Sequence, residues 1–396
     1  MNYRVNSKNR DRLSILGYGC MRFPTKGNAI DEAEAERQLL AAIEGGVNYF
    51  DTAWIYHGGK SEQFLGEVLR RNKVRDRVRI ATKLPVYLVR KAADIDRFFD
   101  AQLERLQTDR VDYYLMHLLS DVATWERLKA MGIGEWIARK KQSGQIVNIG
   151  FSYHGSKAEF RGLLDAYDWD FCQIQYNYLD VNNQAGQEGL LYAAQKGVPV
   201  IIMEPLRGGK LVHGLPKEVS ALWEDASPQR SAAEWALRWV WNHPQVLLLL
   251  SGMSTMEQVQ DNLRIAAVAQ AGEMDEAQLA LFDRARHIFG QKMKVPCTGC
   301  GYCMPCPAGV DIPTCFTCYN LLGNGGMKAR MNYMRDTGAW TDSPAVASRC
   351  VQCGKCEAHC PQHIAIRAEL KNTARALEGP LFKPVVFLAR KFLGAK

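Results

Sequence analysis

The sequence predicts an α/β fold, a closed (β/α)8 or TIM barrel followed by a small, mainly helical domain. From residue 12 to 266, short apolar or β-branched runs alternate with amphipathic stretches. Eight such units suit a closed barrel better than an open doubly wound sheet. No Gly-x-Gly-x-x-Gly follows the first run, which also disfavours the open sheet. Beyond the barrel, ten of the twelve cysteines crowd between residues 297 and 360, which marks a separate domain.

The predicted strands are the eight short apolar runs at 14–19, 47–52, 78–83, 111–117, 146–152, 171–175, 198–204 and 246–250. Helices are predicted between them by amphipathic spacing, among them 31–44, 94–106, 157–166, 186–196 and 228–241, with a last one at 255–266 that Ser254 and Glu257 would cap. A helix at 275–289 is expected to complete the barrel domain, residues 1–290. Residues 290–296 would form a linker, 291–380 the cysteine-rich domain and 381–396 an apolar, basic tail.

The cysteine-rich domain contains two similar motifs, Cys297-Thr-Gly-Cys300-Gly-Tyr-Cys303-Met-Pro-Cys306-Pro and Cys350-Val-Gln-Cys353-Gly-Lys-Cys356-Glu-Ala-His-Cys360-Pro. The second has the usual spacing of a bacterial ferredoxin half, whereas the first has one residue fewer before its fourth cysteine. Three thiolates at i, i+3 and i+6 can hold one face of an iron–sulfur cubane, and a fourth before Pro reaches a second cluster. We therefore predict two [4Fe-4S] clusters on these eight cysteines. Zinc is the alternative, since C-x2-C pairs also form zinc sites. Cys315 and Cys318 are expected to be packing residues.

Four polar residues fall at the ends of predicted strands, where barrel enzymes place their chemistry. Asp51 and Tyr56 follow the second strand, Lys83 ends the third and His117 ends the fourth. A tyrosine phenol has a pKa of about 10, too high for efficient proton donation at neutral pH, and a nearby ammonium lowers it. Lys83, held by Asp51, would therefore activate Tyr56 as a proton donor, while His117 could orient a carbonyl group.

In these contexts, Asn48-Tyr-Phe-Asp51-Thr-Ala-Trp-Ile-Tyr56, Ala81-Thr-Lys83 and Leu115-Met-His117, the sequence resembles the aldo-keto reductases over about residues 1–290. The resemblance implies an NAD(P)H-dependent reduction of a carbonyl substrate, or the reverse oxidation of an alcohol. Tyr56 would be the general acid, Lys83 and Asp51 would tune it, and His117 would orient the carbonyl. Some prokaryotic aldo-keto reductases are similar to this chain in carrying a C-terminal iron–sulfur extension.

The same resemblance implies a set of cofactor contacts, namely Gly19, Cys20, Met21, Asp51, Ser152, Tyr153, Gln173, Met203, Gln258 and Asn262. Tyr153 stands where many relatives have Asn, and Met203 where many have a stacking Tyr. Gly252 and Gln258 replace the Lys and Arg that hold the 2′-phosphate of NADPH in many relatives. Either NAD(H) or NADP(H) is expected to bind, with a modest preference or one that favours NADH.

The cysteine motifs resemble the helical dicluster ferredoxin domains, which implies a crossed pairing of ligands. Cys297, Cys300 and Cys303 would share a cluster with Cys360, and the second motif would share one with Cys306. The clusters would transfer electrons to or from a partner such as a ferredoxin. Two alternatives remain open: a ferredoxin-driven one-electron reductase with its substrate in the barrel, and a reductase whose clusters serve only redox sensing or docking.

Charge and composition exclude several classes of function. The net charge of +8 arises in residues 291–396, which hold 14 Lys and Arg against 6 Asp and Glu. No basic stripe with interleaved aromatic residues is present, so no nucleic-acid partner is expected. The start of the chain is polar, and no run of about 18 apolar residues occurs, which predicts a cytoplasmic protein without a transmembrane segment. The sequence does not identify the carbonyl or alcohol substrate.

Overall fold

The computed structural model describes residues 1–324 and 326–393 and contains a closed barrel of eight parallel strands. The strands are β1 (Leu16–Gly19), β2 (Tyr49–Asp51), β3 (Arg79–Leu84), β4 (Val111–Leu119), β5 (Ile146–Tyr153), β6 (Phe171–Gln175), β7 (Val200–Met203) and β8 (Val246–Ser251). Each strand pairs with the next in the chain, and β8 closes the barrel against β1. The predicted fold class is confirmed.

The helices of the barrel segment are α1 (Glu32–Glu44), α2 (Ser61–Arg71), α3 (Ala93–Leu106), α4 (Val122–Ala130), α5 (Ile133–Gln142), α6 (Lys157–Asp165), α7 (Gly186–Gln195), α8 (Lys217–Glu224), α9 (Ala232–Trp241) and α10 (Met256–Val268). They are followed by α11 (Glu276–Lys292), α12 (Ile312–Asn320), α13 (Gly326–Asp336), α14 (Lys355–Ala358), α15 (Ile366–Leu377) and α16 (Phe382–Leu393). Amphipathic spacing located the long helices to within a few residues of these bounds.

Two of the differences from the predicted bounds change how the chain is divided into elements. The predicted strand 14–19 is divided, because Arg12–Ser14 pairs antiparallel with Tyr3–Val5 in a hairpin and β1 begins only at Leu16. Arg4 fixes this hairpin by donating a hydrogen bond of 3.0 Å to the carbonyl of His243. Such a long-range anchor leaves no local pattern in the sequence. Helix α11 continues to Lys292, into the segment predicted to be a linker.

The interior of the barrel is filled by inward-facing side chains of the strands. Tyr113 from β4 lies with its ring centroid 5.1 Å from that of Tyr49 and 5.0 Å from that of Phe171, both in edge-to-face geometry. Leu115, Ile201 and other buried apolar residues complete this cluster. Because packed side chains fill the interior, polar chemistry is confined to the rim where the strands end.

The chain divides into two compact units, one of residues 1–206 with 233–276 and the other of 207–232 with 277–396. In the second unit, helices α12 and α15 pack together over an apolar core that includes Phe316, Tyr333 and Leu370. Phe382 and Val386 of α16 pack against this core. The domain limits at residues 290 and 380 stay predictions, and residues 394–396 of the predicted tail lie outside the described residues.

Within the described part of the chain, no helix combines the length and the apolar character that crossing a membrane requires.

Candidate active site and cysteine centre

The structure brings Asp51, Tyr56, Lys83 and His117 together at the carboxyl ends of β2, β3 and β4, and all four side chains are buried. Asp51 is the last residue of β2 and Lys83 is the last but one of β3, whereas Tyr56 begins a short 3-10 helix, Tyr56–Gly59. Parallel strands in a closed barrel end at one rim, which is why residues far apart in the sequence meet there.

Lys83 is fixed by two short hydrogen bonds. Its Nζ donates to Asp51 Oδ1 at 2.6 Å and to the Thr52 carbonyl at 2.8 Å, and it lies 5.1 Å from the centroid of the Tyr56 ring. Burial raises the pKa of Asp51, while the charge of Lys83 and its hydrogen bond oppose that rise. An ammonium carries three donors, and these two hydrogen bonds set its position.

His117 stands against Tyr56, with the ring centroids 6.2 Å apart and the ring planes at 85°. Burial lowers the pKa of His117 well below its ordinary value, and the charges of Lys83 and His154 lower it further. His117 is therefore neutral at physiological pH. The backbone turns sharply after it, because Leu118 has a φ of 57° and the register between β4 and β5 shifts there. Such an irregularity re-aims a strand-end side chain.

His154 was not predicted as a site residue. It is buried just after β5, and the register pairing of Leu119 with Tyr153 brings it to the same rim as His117, whose pKa its charge lowers further. The two histidines are separated in the sequence by α4, α5 and β5, and neither stands in a metal-ligand spacing with the other. Only the pairing of β4 with β5 brings them together.

A buried polar network behind Lys83 fixes its backbone. Gln102 Nε2 donates to the Lys83 carbonyl at 3.0 Å and to Glu62 Oε1 at 2.6 Å, and the Thr82 hydroxyl donates to the same oxygen at 2.6 Å. Arg105 pairs with the other carboxylate oxygen of Glu62 at 3.1 Å. The buried carboxylate is thus fully hydrogen-bonded, and strand β3 is held against α2 and α3. None of these residues was singled out from the sequence.

Ser152 and Gln173 occupy paired positions on β5 and β6. The Ser152 hydroxyl oxygen accepts a hydrogen bond of 3.0 Å from the Leu118 N–H. Gln173 is buried, and its Oε1 has no hydrogen-bond partner among the residues that the structure describes. A buried amide oxygen without a partner is costly. The pair therefore fits a ligand that presents an amide N–H, such as the carboxamide of a nicotinamide.

Tyr153 does not join this pair. Successive side chains of a strand point to opposite faces, so Tyr153 faces the surrounding helices, where its ring lies 4.9 Å from that of Phe160 on α6. Its hydroxyl donates to the Ser156 carbonyl. The predicted cofactor contact of Tyr153 stays a prediction, and these contacts give its side chain no part in the Ser152–Gln173 pair. Met203 pairs in register with Gln175 at the end of β7 and packs on the apolar cluster inside the barrel.

The end of β1 lies beside Asp51. Gly19 is the register partner of Asp51, and the Cys20 N–H donates to the Asp51 carbonyl at 2.8 Å. Cys20 is fully buried, and burial raises the pKa of its thiol, so it remains an uncharged filler. Met21 follows in the loop and is half-buried. The backbone here, rather than reactive side chains, lines the rim.

The residues predicted to contact the nucleotide end of the cofactor lie at the start of α10. The cap is Thr255, whose hydroxyl oxygen accepts from the Gln258 N–H at 3.3 Å, while Gln258 Oε1 accepts from the Ser254 N–H at 2.8 Å. The prediction that Ser254 and Glu257 cap the helix was thus wrong by one residue, because Thr255 adopts the extended cap conformation. Asn262 is buried and donates to the Ser251 hydroxyl at 2.9 Å.

Arg22 supplies a cation at this end that the sequence analysis missed. Its side chain covers Gly252 so closely that a Cβ there would lie 3.1 Å from Arg22 Cβ and Cδ. The Ser254 hydroxyl also donates to the Arg22 carbonyl at 3.1 Å. The loop after β1 and the loop after β8 are neighbours only because the barrel closes between these strands.

In the second unit, the four cysteines Cys297, Cys300, Cys303 and Cys360 line one cavity of about 320 Å³, its open mouth included. Apolar residues complete its wall, among them Ile312, Phe316 and Ile364. Within residues 1–324 and 326–393, no three His, Cys, Asp or Glu side chains converge closely enough to hold a single metal ion. Four thiols spread around a cavity fit a bulkier group, and this is the set that the crossed pairing predicts.

The two cysteine motifs share one backbone conformation. Positive φ angles occur at equivalent positions, at Gly299 and Gln352 (73° and 59°) and again at Gly301 and Gly354 (80° and 78°). The repeat continues past the fourth cysteines, where Gly309 and His363 have φ angles of 72° and 50° and helices α12 and α15 begin. Glycine adopts this region without strain, which explains its frequency between these cysteines.

The other four predicted ligands, Cys306, Cys350, Cys353 and Cys356, do not line the cavity of about 320 Å³. Cys350 and Cys356 lie close enough for the charge of one to affect the pKa of the other, and both pack with Cys306 against the apolar core of this unit. Cys353 is exposed. Cys315 and Cys318 are buried in α12, and the Cys315 thiol donates to the Ala345 carbonyl at 3.7 Å, as packing residues do.

Comparison with known proteins identifies both the barrel and the cysteine-rich domain. Residues 15–284 match the aldo/keto reductase family, and residues 296–365 match the 4Fe-4S dicluster domain. An aldo-keto reductase from Bacillus halodurans in its holo form superposes with a TM-score of 0.60 at 26% identity, over 72% of this chain and 96% of that one. An aldo/keto reductase from Klebsiella pneumoniae in complex with NADP and acetate gives a TM-score of 0.57 at 25% identity, over 72% and 95%.

Curated relatives are enzymes of the same type. L-galactose dehydrogenase from Arabidopsis thaliana is 27% identical over 68% of this chain and 89% of its own length. Methylglyoxal reductase from Escherichia coli (strain K12) is 29% identical over 62% of this chain and 82% of its own length. The matched region covers most of the barrel, and the chain therefore belongs to the aldo/keto reductase family, as an oxidoreductase whose (β/α)8 barrel is followed by a 4Fe-4S dicluster domain.

Proposed function

We propose that the protein is an NAD(P)H-dependent carbonyl reductase, or an alcohol dehydrogenase in the reverse direction, coupled to two [4Fe-4S] clusters. The observation that carries the proposal is the buried Lys83–Asp51 ion pair, 2.6 Å long, beside Tyr56 and His117. The names of two relatives, L-galactose dehydrogenase and methylglyoxal reductase, support a small carbonyl or alcohol substrate.

The chemistry divides between the four residues. Neutral His117 donates a hydrogen bond to the carbonyl oxygen and orients it. A bound nicotinamide supplies the hydride that reduces the carbonyl carbon. Tyr56 gives its phenolic proton to the oxygen, and the ammonium of Lys83 stabilises the phenolate that remains until solvent returns a proton. Asp51 and the Thr52 carbonyl hold the Lys83 side chain in place. Electrons and protons balance as one hydride and one proton per carbonyl.

Gln173, Ser152 and the backbone after β1 would hold the nicotinamide end of the cofactor. Gln258 is committed to capping α10, so Arg22 is the cation beside Gly252 that could contact a 2′-phosphate. The replacement of the usual Lys and Arg in this chain therefore need not remove selectivity for NADPH. We propose that both nicotinamide cofactors bind and that Arg22 favours NADPH.

The cysteine domain would hold one cluster on Cys297, Cys300, Cys303 and Cys360 and a second on Cys306, Cys350, Cys353 and Cys356. The cavity supports the first set, and the repeated backbone conformation supports the second. Such clusters transfer single electrons, at potentials set by their charge and surroundings. The proposed role is electron transfer to or from a partner such as a ferredoxin.

Replacing Tyr56 with Phe removes the proton donor and leaves the ring packing in place. We expect kcat for carbonyl reduction to fall by about 10²–10⁴-fold, the usual contribution of a positioned acid. The measurement is steady-state oxidation of NADPH or NADH with an aldehyde substrate. Tyr192→Phe, on the outer helix α7, is the matched control and should retain activity. Full activity in the Tyr56→Phe variant would contradict the assignment.

Replacing Arg22 with Gln removes the cation beside Gly252. Because a charge-assisted hydrogen bond to phosphate is lost, we expect NADPH to bind about tenfold more weakly while NADH binding is unchanged. Fluorescence titration of the two cofactors measures the ratio. Arg139→Gln, on the exposed face of α5, is the control. An equal loss of affinity for NADPH and NADH would show that Arg22 does not contact the 2′-phosphate.

Replacing Cys360 with Ala removes one thiol from the cavity, whereas Cys318→Ala changes a buried thiol outside it. Because a cubane needs four ligands, we expect the first variant to retain about half of the iron and acid-labile sulfide and the second to retain all of it. Anaerobic chemical analysis and electron paramagnetic resonance measure both. Equal iron loss in the two variants would refute the ligand assignment.

The visible spectrum of the anaerobic protein tests whether electrons pass between a nicotinamide bound in the barrel and the proposed clusters. If electrons pass from the nicotinamide to the clusters, NADPH or NADH should bleach the thiolate-to-iron absorption. Dithionite serves as the positive control. A spectrum that dithionite bleaches and nicotinamide does not would count against the coupled enzyme and favour a one-electron partner or a sensing role.

A further inference from the structure

The last helix, α16, presents apolar side chains that take no part in the proposed site. Leu381 belongs to its first turn, because the Leu381 carbonyl accepts a hydrogen bond of 3.1 Å from the Val385 N–H. Leu381, Val385 and Leu388 are 75%, 43% and 50% exposed. Residues spaced i, i+4 and i+7 lie along one side of a helix, so these three form an apolar stripe on the surface. Phe387 is exposed as well.

A different face of α16 fixes the helix to the protein. Phe382 and Val386 pack against the apolar core of the second unit, and the Phe382 ring centroid lies 6.1 Å from that of Tyr333 on α13. At about 3.6 residues per turn, these two residues lie roughly 100° around the helix axis from the exposed stripe. The stripe is therefore held at the surface by a docked helix.

The charge of this segment favours an anionic partner. Residues 379–393 contain three Lys or Arg and no Asp or Glu, and Lys383 is exposed. The nearest acidic residue in the sequence, Glu378, accepts hydrogen bonds from the Tyr333 hydroxyl at 2.5 Å and from the Ser348 N–H at 3.0 Å. An apolar stripe combined with cations is typical of helices that lie in the interface of an anionic bilayer.

We infer that α16 is a peripheral membrane contact, which inserts its apolar stripe at the headgroup boundary of an anionic lipid bilayer and places its cations among the lipid phosphates. The helix has 12 residues, and a transmembrane helix needs about 20, so it would lie parallel to the surface. This inference goes beyond the proposed function, since it concerns where the enzyme works and not what it reduces.

A lipid surface fits the stripe better than a second copy of the chain does. Three side chains can bury roughly a few hundred Å², whereas a stable protein interface needs about 800 Å² from each partner. Two copies of a segment that carries cations and no acidic residue would also bring like charges together, which is unfavourable. An anionic bilayer accepts the apolar side chains and attracts the cations at the same time.

The test is flotation of the full-length, anaerobically purified protein with vesicles of phosphatidylcholine, alone or with about one third phosphatidylglycerol. We expect binding to the anionic vesicles at low salt and little binding to the neutral ones. The double variant Leu381→Gln with Leu388→Gln should bind the anionic vesicles at least about tenfold more weakly, because two apolar side chains of the stripe are lost. Leu191→Gln, at an exposed leucine on α7, is the matched control and should bind like the wild type.

The double variant keeps the net charge of +8, so its loss of binding distinguishes an inserted stripe from general adsorption of a basic protein. Conversely, Lys383→Glu keeps the stripe and should weaken binding to the anionic vesicles about tenfold, since each cation near such a surface adds to the attraction.

Three results would overturn the inference. The first is wild-type protein that floats with neither kind of vesicle, and the second is equal binding by the wild type and the double variant. The third is a wild-type dimer in analytical ultracentrifugation that the double variant loses, without vesicle binding, which would assign the stripe to a second copy. None of these measurements depends on turnover, so this inference and the proposed function fail independently.

Discussion

The ion pair between Lys83 and Asp51 is the interaction on which the candidate site depends. Removing two charges from water is expensive, and their attraction offsets this cost only when the geometry is good and the other donors are satisfied. Here the pair is short, a second hydrogen bond joins Lys83 to the Thr52 carbonyl, and both side chains are almost completely buried. Loss of either partner would leave the other buried and uncompensated, so the pair functions as a unit.

The charge of Lys83 also sets the protonation of its neighbours. It disfavours a proton on His117, whose pKa burial already lowers. In the proposed mechanism the same cation stabilises the phenolate that Tyr56 becomes after proton transfer, while His117 acts as a neutral hydrogen-bond donor. The network of Glu62, Gln102 and Thr82 supports this arrangement from behind by fixing the backbone of β3. Mutations in that network would therefore affect chemistry without touching substrate.

The cysteine domain depends on backbone conformation more than on side-chain packing. Left-handed residues stand at matched positions of the two motifs, and Cys297, Cys303, Cys306, Cys350, Cys356 and Cys360 pack in or against one apolar core. The first repeat has glycine at all three positions, whereas the second has Gln352 and His363 at two of them. A non-glycine residue accepts this conformation only with some strain, which the surrounding fold must stabilise.

The sequence by itself determined the barrel, the order of its strands, the four residues at the rim and the cysteine motifs. Each of these depends on local patterns, namely strand alternation, helix periodicity and ligand spacing. Tertiary structure alone decided the direction of Tyr153, the position of Arg22 over Gly252 and the ring contact of Tyr87 with His117. These contacts join loops that are distant in the chain. They exist because barrel closure brings the carboxyl ends of all eight parallel strands to one rim, a constraint that no local pattern records.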